Sequence, residues 1–148
     1  RIISKIMFSK SDAKRLRHEF WISFGKSFPR DWILYNTRAK GLSFKFHFDN
    51  KTAYVALVID MTPSKQDVYW ERLLSLQTII RTDFLSAIKF DQHLQVSDEK
   101  WVSAAYIEID KKVSIHNKST WKDAMVFLNE SMISFENFYD LYENTIKS

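Results

Sequence analysis

The chain has 148 residues, a formal net charge of +4, two glycines and no cysteine, and this length corresponds to one domain with a sizeable core. Without cysteine there are no disulfides, thiolate metal sites or cysteine nucleophiles, and two glycines cannot supply the GxGxxG loop of dinucleotide-binding folds or the GxSxG turn of serine hydrolases. No apolar run approaches the ~18 residues of a membrane span. The sequence therefore predicts a cytoplasmic protein that needs no cofactor.

The first helix is predicted over residues 9–25, after an N-terminal tail or non-native remnant (residues 1–8), and residues 9–148 are predicted to form a single domain. Ser9 or Ser11 can cap the helix, and Gly25 is expected to end it in the left-handed conformation. The Gly-Lys-Ser triplet at this point resembles the end of a phosphate-binding loop, but Phe20 stands where that loop requires its first glycine, and the helix precedes the triplet. The segment is therefore predicted to be a helix stop.

Three strands are predicted next, in "DWILYNT" (residues 31–37), "LSFKFHFD" (42–49) and "TAYVALVID" (52–60). The second alternates phenylalanine with polar residues, which places the two types on opposite faces. "DNKT" between the second and third is typical of a tight hairpin turn. The third is apolar on both faces, as expected for a central strand.

One long helix is predicted over residues 62–88, capped by Thr62 or Ser64, followed by strands in "HLQV" and "WVSAAYIEID". The last helix is predicted over residues 119–146, with Thr120 and Asp123 as a capping box. Its broad apolar face, which includes Leu141, favours packing within the domain over a coiled-coil seam. The whole pattern predicts an α+β fold with a mainly antiparallel sheet of about five strands and three helices, in the order α-β-β-β-α-β-β-α.

Positive charge is concentrated in the first third of the chain, where residues 1–48 carry 11 Lys/Arg and 3 Asp/Glu, against 11 and 15 in the remainder. Two interpretations stay open: a surface that faces nucleic-acid phosphates, or internal pairing of the basic elements with the acidic last helix. The candidate phosphate contacts are Arg17, Lys26, Arg30, Arg38, Lys40 and Lys45. Stacking on bases could come from Trp21, Trp32, Tyr35, Tyr54, Tyr69, Trp70 or Trp101, and Trp32 is the prediction.

The element order also matches the α-β-β-β-α-β core of restriction-endonuclease-like folds, in which carboxylates on neighbouring strands bind a metal and a lysine positions the attacking water. The third strand lacks the expected acidic-x-Lys triplet. The alternative hypothesis of a divergent nuclease therefore uses Asp60, Glu108, Asp110 and Lys112. The four histidines are dispersed, and no metal site is predicted.

Four stretches resemble the bacterial domain-of-unknown-function family DUF4268: "EFWISFGKSFPRDWILYNT", "SFKFHFDNKTAYVALVID", "YWERLLSLQTII" and "SIHNKSTWKDAMVFLNESM". The resemblance covers about residues 9–146. It implies a domain that stands alone or follows a nuclease-like domain, as an accessory to nucleic-acid or defence-related chemistry, and it assigns no catalytic residue. The positions that look most typical of the family are expected to serve architecture, and they are Trp21, Gly25, Pro29, Trp32, Trp70 and Trp121.

These observations favour a non-enzymatic accessory or binding domain that contacts nucleic acid through its basic N-terminal portion. Two alternatives stay open. One is the divergent metal-dependent nuclease described above. The other is a protein-interaction module that binds a protein partner, or forms a homodimer, through the C-terminal helix.

Overall fold

A computed structural model of the chain describes residues 2–147, with side chains from Lys10 to Lys147. It has an α+β fold, as predicted, with four strands and four α-helices instead of five and three. The elements in chain order are α1 (Ile2–Ser27), β1 (Leu42–Phe48), β2 (Ala53–Ile59), α2 (Pro63–Ser75), α3 (Gln77–Asp83), β3 (Lys89–Ser97), β4 (Lys100–Glu108), a short 3₁₀ helix (Lys118–Thr120) and α4 (Trp121–Lys147).

The four strands form one fully antiparallel sheet in the order β1-β2-β4-β3, so that β1 and β3 are its edges. Its helix-facing side carries alternate residues of each strand, because successive side chains of a strand point to opposite faces. Phe44 meets Phe135 and Tyr139 of α4, while Phe48 meets Phe20 of α1. These contacts place the main core between the sheet and the long helices.

The first predicted strand is wrong, because residues 31–37 form an irregular loop. Trp32 and Ile33 have the composition of a strand, but they pack on the hydrophobic core instead of joining a ladder. The backbone NH of Ile33 donates to the side chain of Glu136 on α4, 2.7 Å away. A strand in this segment would need that donor for its neighbour.

The predicted bounds of the first helix are also wrong. The helical backbone begins at Ile2, well before Ser9, and runs through Gly25 to Ser27. The NH of Phe28 still donates to the carbonyl of Phe24, at 2.9 Å. Pro29 then ends the helix, since it has no NH to offer.

The long second helix is broken at Leu76, which ends α2 and begins α3. The hydroxyl of Ser75 donates to the Arg72 carbonyl at 2.6 Å, and this competition with the helical ladder bends helices. Pro63 occupies the first turn of α2 behind Thr62, but the Thr62 side chain makes no capping bond, so the predicted side-chain cap is wrong.

The capping box of the last helix is wrong as well. The hydroxyl of Thr120 accepts from the NH of Ser114 at 3.1 Å and donates to the Asn117 carbonyl at 2.7 Å, so it holds the preceding loop together. The apolar stripe of α4 packs on the domain core, as predicted, although Met125, Phe127 and Tyr142 are only partly buried. Leu141 does not join the core and is 72% exposed.

Candidate nucleic-acid interface

The loop between α1 and β1 (residues 28–41, called the α1–β1 loop) is tied to α4 by buried polar groups. The carboxylate of Glu136, almost fully buried, accepts from the Arg30 guanidinium at 3.0 Å and from the Ile33 NH. The hydroxyl of Tyr139 donates to the Thr37 carbonyl at 2.6 Å. Bonds between buried partners that are costly to break hold an irregular segment in one conformation.

Burial also raises the pKa of Tyr139, to about 12, with a smaller contribution from the nearby Glu143 carboxylate. The phenol therefore stays protonated through the neutral range and keeps its donor role toward Thr37. The hydroxyl of Thr37 in turn donates to the Leu42 carbonyl, 2.7 Å away, and accepts from the NH of Ala39 at 3.2 Å. The bond to Leu42 ties the loop to the first residue of β1.

A tight turn at the centre of this loop presents Tyr35 to solvent. The turn is closed by a bond from the Asn36 NH to the Ile33 carbonyl, at 2.7 Å. Leu34, its first inner residue, has a φ of 45°, a conformation that is strained for a branched side chain. The Tyr35 side chain lies at the tip and is 84% exposed. Backbone strain of this kind is concentrated at functional sites.

A depression on one side of Tyr35, called the loop depression, is lined by Tyr35, Arg38, Lys40, Gly41 and Asp60, among other residues of the loop and β1. Two chain segments cross closely in its lining at Gly41, where the φ is 89° and a Cβ atom would lie 2.5 Å from the Asp60 carbonyl oxygen. The carboxylate of Asp60 is paired with Lys100 at 2.7 Å, which offsets the negative charge at this point.

A second depression, called the edge depression, lies on the other side of Tyr35 along β1. It is lined by Trp21, Leu34, Tyr35, Phe44, Lys45 and Phe46. Trp21 comes from α1, so this hollow is bounded by the helix, the α1–β1 loop and the sheet edge together. Its lining is aromatic and aliphatic apart from Lys45, which is exposed.

Three cations on α1 lead to the edge depression. Lys10, Lys14 and Arg17 precede Trp21 at spacings of four, three and four residues, which places all four on one helix face. The three cations are exposed, and none has an ion pair among the described side chains (residues 10–147). The opposite flank of α1 differs, because there Glu19 pairs with Lys118 at 2.8 Å and this hydrogen bond lowers the Glu19 pKa.

The structure brings together four of the six predicted phosphate contacts. Arg38 and Lys40 line the loop depression, Lys45 lines the edge depression, and Arg17 lies one helical turn from Trp21. Lys26 does not join them, since it lies about 140° around α1 from Trp21.

Arg30 and the predicted stacking residue Trp32 have structural contacts instead. Arg30 is held by Glu136 and lies 5.0 Å above the Trp32 ring. Trp32 is half-buried, and its ring packs against Phe24 and Phe46. Internal pairing with the last helix therefore applies to Arg30. Arg38 fits both interpretations, because it reaches Glu143 of that helix at 3.6 Å but its side chain remains 78% exposed.

Tyr35 is one of the seven aromatic candidates, but the predicted stacking residue is Trp32. Lys10 and Lys14 are not among the predicted phosphate contacts. The lysines have a detectable signal, which is their helical spacing to Arg17 and Trp21. Tyr35 has none, because its exposure depends on a turn with a left-handed leucine that the residue types do not indicate.

The acidic residues of the nuclease hypothesis lie apart. Glu108 is opposite Tyr54 in the antiparallel pairing of β2 with β4, whereas Asp60 follows the far end of β2, about 20 Å away at ~3.4 Å per residue. Glu108 is bound by Thr52 and Lys89, and Asp110 and Lys112 follow it as exposed residues. Within the described residues, no group of three His, Asp or Glu side chains could hold a metal ion.

The family model for the domain of unknown function DUF4268 matches residues 16–143. The chain belongs to the DUF4268 family. The match covers α1 from Leu16, the whole sheet and most of α4, so both depressions lie within the DUF4268 domain. No curated protein and no solved structure shows a significant match to the chain.

None of the helices within residues 2–147 combines the length and the hydrophobicity that a membrane span requires. The protein-partner and homodimer hypotheses place their contact on the C-terminal helix, which is α4. The large apolar residues of that helix are mostly used inside the domain, and the outer face keeps Leu141 and the partly exposed Val126.

Proposed function

We propose that this DUF4268 domain is a non-enzymatic, cytoplasmic binding module that contacts nucleic acid through α1, the α1–β1 loop and β1. The observation that carries the proposal is Tyr35, an aromatic side chain 84% exposed at the tip of a strained turn, between two depressions rimmed by cations. An exposed aromatic ring beside cations is the combination with which proteins bind single strands, because the ring stacks on a base while the cations contact the phosphates.

The cations support the same ligand. The exposed residues Lys10, Lys14 and Arg17 approach along α1, and Lys45, Lys40 and Arg38 continue around Tyr35. Such a track matches a polyanion whose charges repeat along its length, since each Lys or Arg that neutralises a phosphate releases a condensed counterion. Asp60 is the carboxylate that lines this track, and it is paired with Lys100.

The experiment compares two quadruple variants that each lower the formal net charge from +4 to zero. The first, Lys14→Gln, Arg17→Gln, Lys40→Gln and Lys45→Gln, removes cations from the track. The matched control, Lys26→Gln, Lys51→Gln, Lys112→Gln and Lys122→Gln, removes exposed lysines elsewhere on the surface. Binding of a fluorescent 20-nucleotide strand is followed by anisotropy at several salt concentrations.

We expect the track variant to bind on the order of 100-fold more weakly at 0.1 M salt, with the slope of log K against log salt reduced by about 3, because each lost phosphate contact contributes about 0.7 to 0.9. The control should stay within a few-fold of the unmodified chain. Equal losses in both variants would mean that net charge alone attracts the strand, and the proposed site would be wrong.

The two other hypotheses lack comparable support. A metal-dependent nuclease needs carboxylates that converge, and Asp60 and Glu108 lie at opposite ends of the sheet. Self-association through α4 would have to use a mixed surface around Leu141.

A further inference from the structure

The main chain of β1 alternates between groups that pair with β2 and groups that point to the free edge of the sheet. The NH of Asp60 donates to the Gly41 carbonyl and the NH of Asp49 to the Thr52 carbonyl, so the odd-numbered residues of this segment face β2. The even-numbered residues, from Leu42 to Phe48, therefore turn their NH and carbonyl groups outward.

The α1–β1 loop satisfies the first part of this edge. The NH of Leu42 donates to the Ala39 carbonyl at 3.0 Å, and the NH of Phe44 donates to the Leu34 carbonyl at 2.9 Å. The Leu42 carbonyl accepts from the hydroxyl of Thr37. The loop follows β1 as a substitute strand as far as Phe44 and then turns away at Leu34 and Tyr35.

The edge is open beyond that point. In the part of the chain that the structure describes, no hydrogen-bond partner reaches the NH or the carbonyl of Phe46, a residue that is only partly buried, whereas Phe44 is buried. Phe46 lines the edge depression, together with the rings of Trp21 and Tyr35. A main-chain donor and a main-chain acceptor thus lie side by side near aromatic surfaces.

We propose that the edge depression receives an unpaired base of a single-stranded nucleic acid, whose Watson–Crick edge bonds to the free NH and carbonyl of Phe46. The inference rests on the proposed function and narrows its ligand. Base edges carry neighbouring donors and acceptors, and single strands are recognised through bases that stack on aromatic rings and bond along their edges.

Charge complementarity selects this occupant over an apolar segment. Lys45 borders the depression and Arg17 lies one helical turn from Trp21, so a sugar–phosphate backbone that enters beside the base meets one cation from β1 and one from α1. A duplex offers the same phosphates, but its bases are stacked and their Watson–Crick edges are paired. Delivery of a duplex base would require the base to flip out of the stack, which is unfavourable.

The experiment uses the full chain with three probes of one length: a mixed-sequence 12-nucleotide single strand, its duplex, and a strand of abasic sugar–phosphate units. We expect the single strand to bind about 10-fold more tightly than the abasic strand of equal charge, since stacking alone contributes a factor of this order per base. It should also bind more tightly than the duplex, although the duplex has twice the phosphates. Tyr35→Ala should reduce the preference for the single strand over the abasic strand, and Tyr35→Phe should keep it.

The location is tested by amide hydrogen exchange and by the amide resonance of Phe46. The single strand should slow exchange at Phe46 and shift its resonance, while the abasic strand and the amides of the β3 edge provide the controls.

Equal affinity for the single, abasic and double strands would overturn this inference and leave the proposed function standing. If none of the three binds, both proposals fall. Protection of Phe46 by a polyglutamate peptide, without protection by the single strand, would assign the edge to an acidic protein segment and overturn the inference.

Discussion

The two edges of the sheet are built differently. The β3 edge is irregular: its pairing with β4 shifts at two places, the Asp91 side chain accepts from the NH of His93 inside the first shift, and its exposed side chains are polar. Such bulges and polar groups are the usual protection of an edge against another chain. The β1 edge has an uninterrupted register with β2, half of it closed by the α1–β1 loop and half open.

This difference between the two edges indicates which part of the sheet is available to a ligand. A free edge strand can pair with another chain and aggregate unless another segment covers it or its own shape and charge prevent the pairing. On β3 the irregular pairing and polar side chains of the strand itself prevent such pairing. On β1 the α1–β1 loop provides the protection, and its hydrogen bonds end at Phe44. The open half lies where Tyr35 and the cations gather, so three predictions test how the loop is held against this edge.

The largest expected effect is at Gly41, the residue immediately before β1. Gly41→Ala places a Cβ atom 2.5 Å from the Asp60 carbonyl oxygen at a φ of 89°, so we expect a loss of about 3 kcal/mol in the free energy of unfolding, from steric overlap and left-handed strain together. Urea denaturation measures it.

The same substitution at the other glycine is the control. Gly25 lies in α1, and a Cβ atom there would meet nothing within 4 Å. Gly25→Ala should therefore stabilise the protein by about 0.5 to 1 kcal/mol. Similar stabilities for the two variants would contradict the close crossing of the chain at Gly41.

The second effect concerns Tyr139, which binds the loop to α4. Its pKa is raised from 10.0 to about 12, so between these values the folded protein retains a proton that the unfolded chain loses. The stabilisation is complete below pH 10 and decreases as the pH rises toward 12, by up to roughly 2 kcal/mol. Urea denaturation from pH 9 to 12 measures the slope.

Tyr139→Phe separates this effect from the titration of lysines in the same range. The variant lacks the phenol, so it should lose about 1 kcal/mol at neutral pH and show a shallower decline above pH 10. It should also exchange the Phe44 amide faster, because the loop that covers this amide is less firmly held. Parallel pH profiles for the two proteins would mean that Tyr139 does not anchor the loop.

The smallest effect on stability is expected at Arg38, whose φ is 64° and whose side chain is mostly exposed. Arg38→Gly relieves the left-handed strain and loses a weak surface pair with Glu143, so stability should stay level or rise by up to about 1 kcal/mol. Nucleic-acid binding should nevertheless weaken, since a phosphate contact is lost. Arg38→Lys keeps the charge and should bind nearly as the unmodified chain does. Unchanged binding by Arg38→Gly would remove Arg38 from the interface.

Much of the fold follows from local pattern. The alternation around Phe44, Phe46 and Phe48 identified β1 and its buried face, and the short polar segment before Thr52 identified the hairpin. The apolar spacing along α4 identified a helix packed inside the domain. In each case the periodicity of the side chains matches the periodicity of the backbone, so residue types alone carry the information.

Tertiary contacts decided the rest. Trp32 and Ile33 have the residue types of a strand. The Ile33 NH, which a strand would donate to its neighbour, donates instead to the buried carboxylate of Glu136, more than a hundred residues away. The nuclease hypothesis expects Asp60 and Glu108 to lie close together on neighbouring strands, but the antiparallel register places them at opposite ends of the sheet. Exposure of Tyr35 and the open half of the β1 edge depend on where one loop turns away from a strand. The sequence determines which residues can be buried and which carry charge, because these are properties of single side chains. The placement of Trp21, Tyr35 and Phe46 around one depression depends on long-range packing.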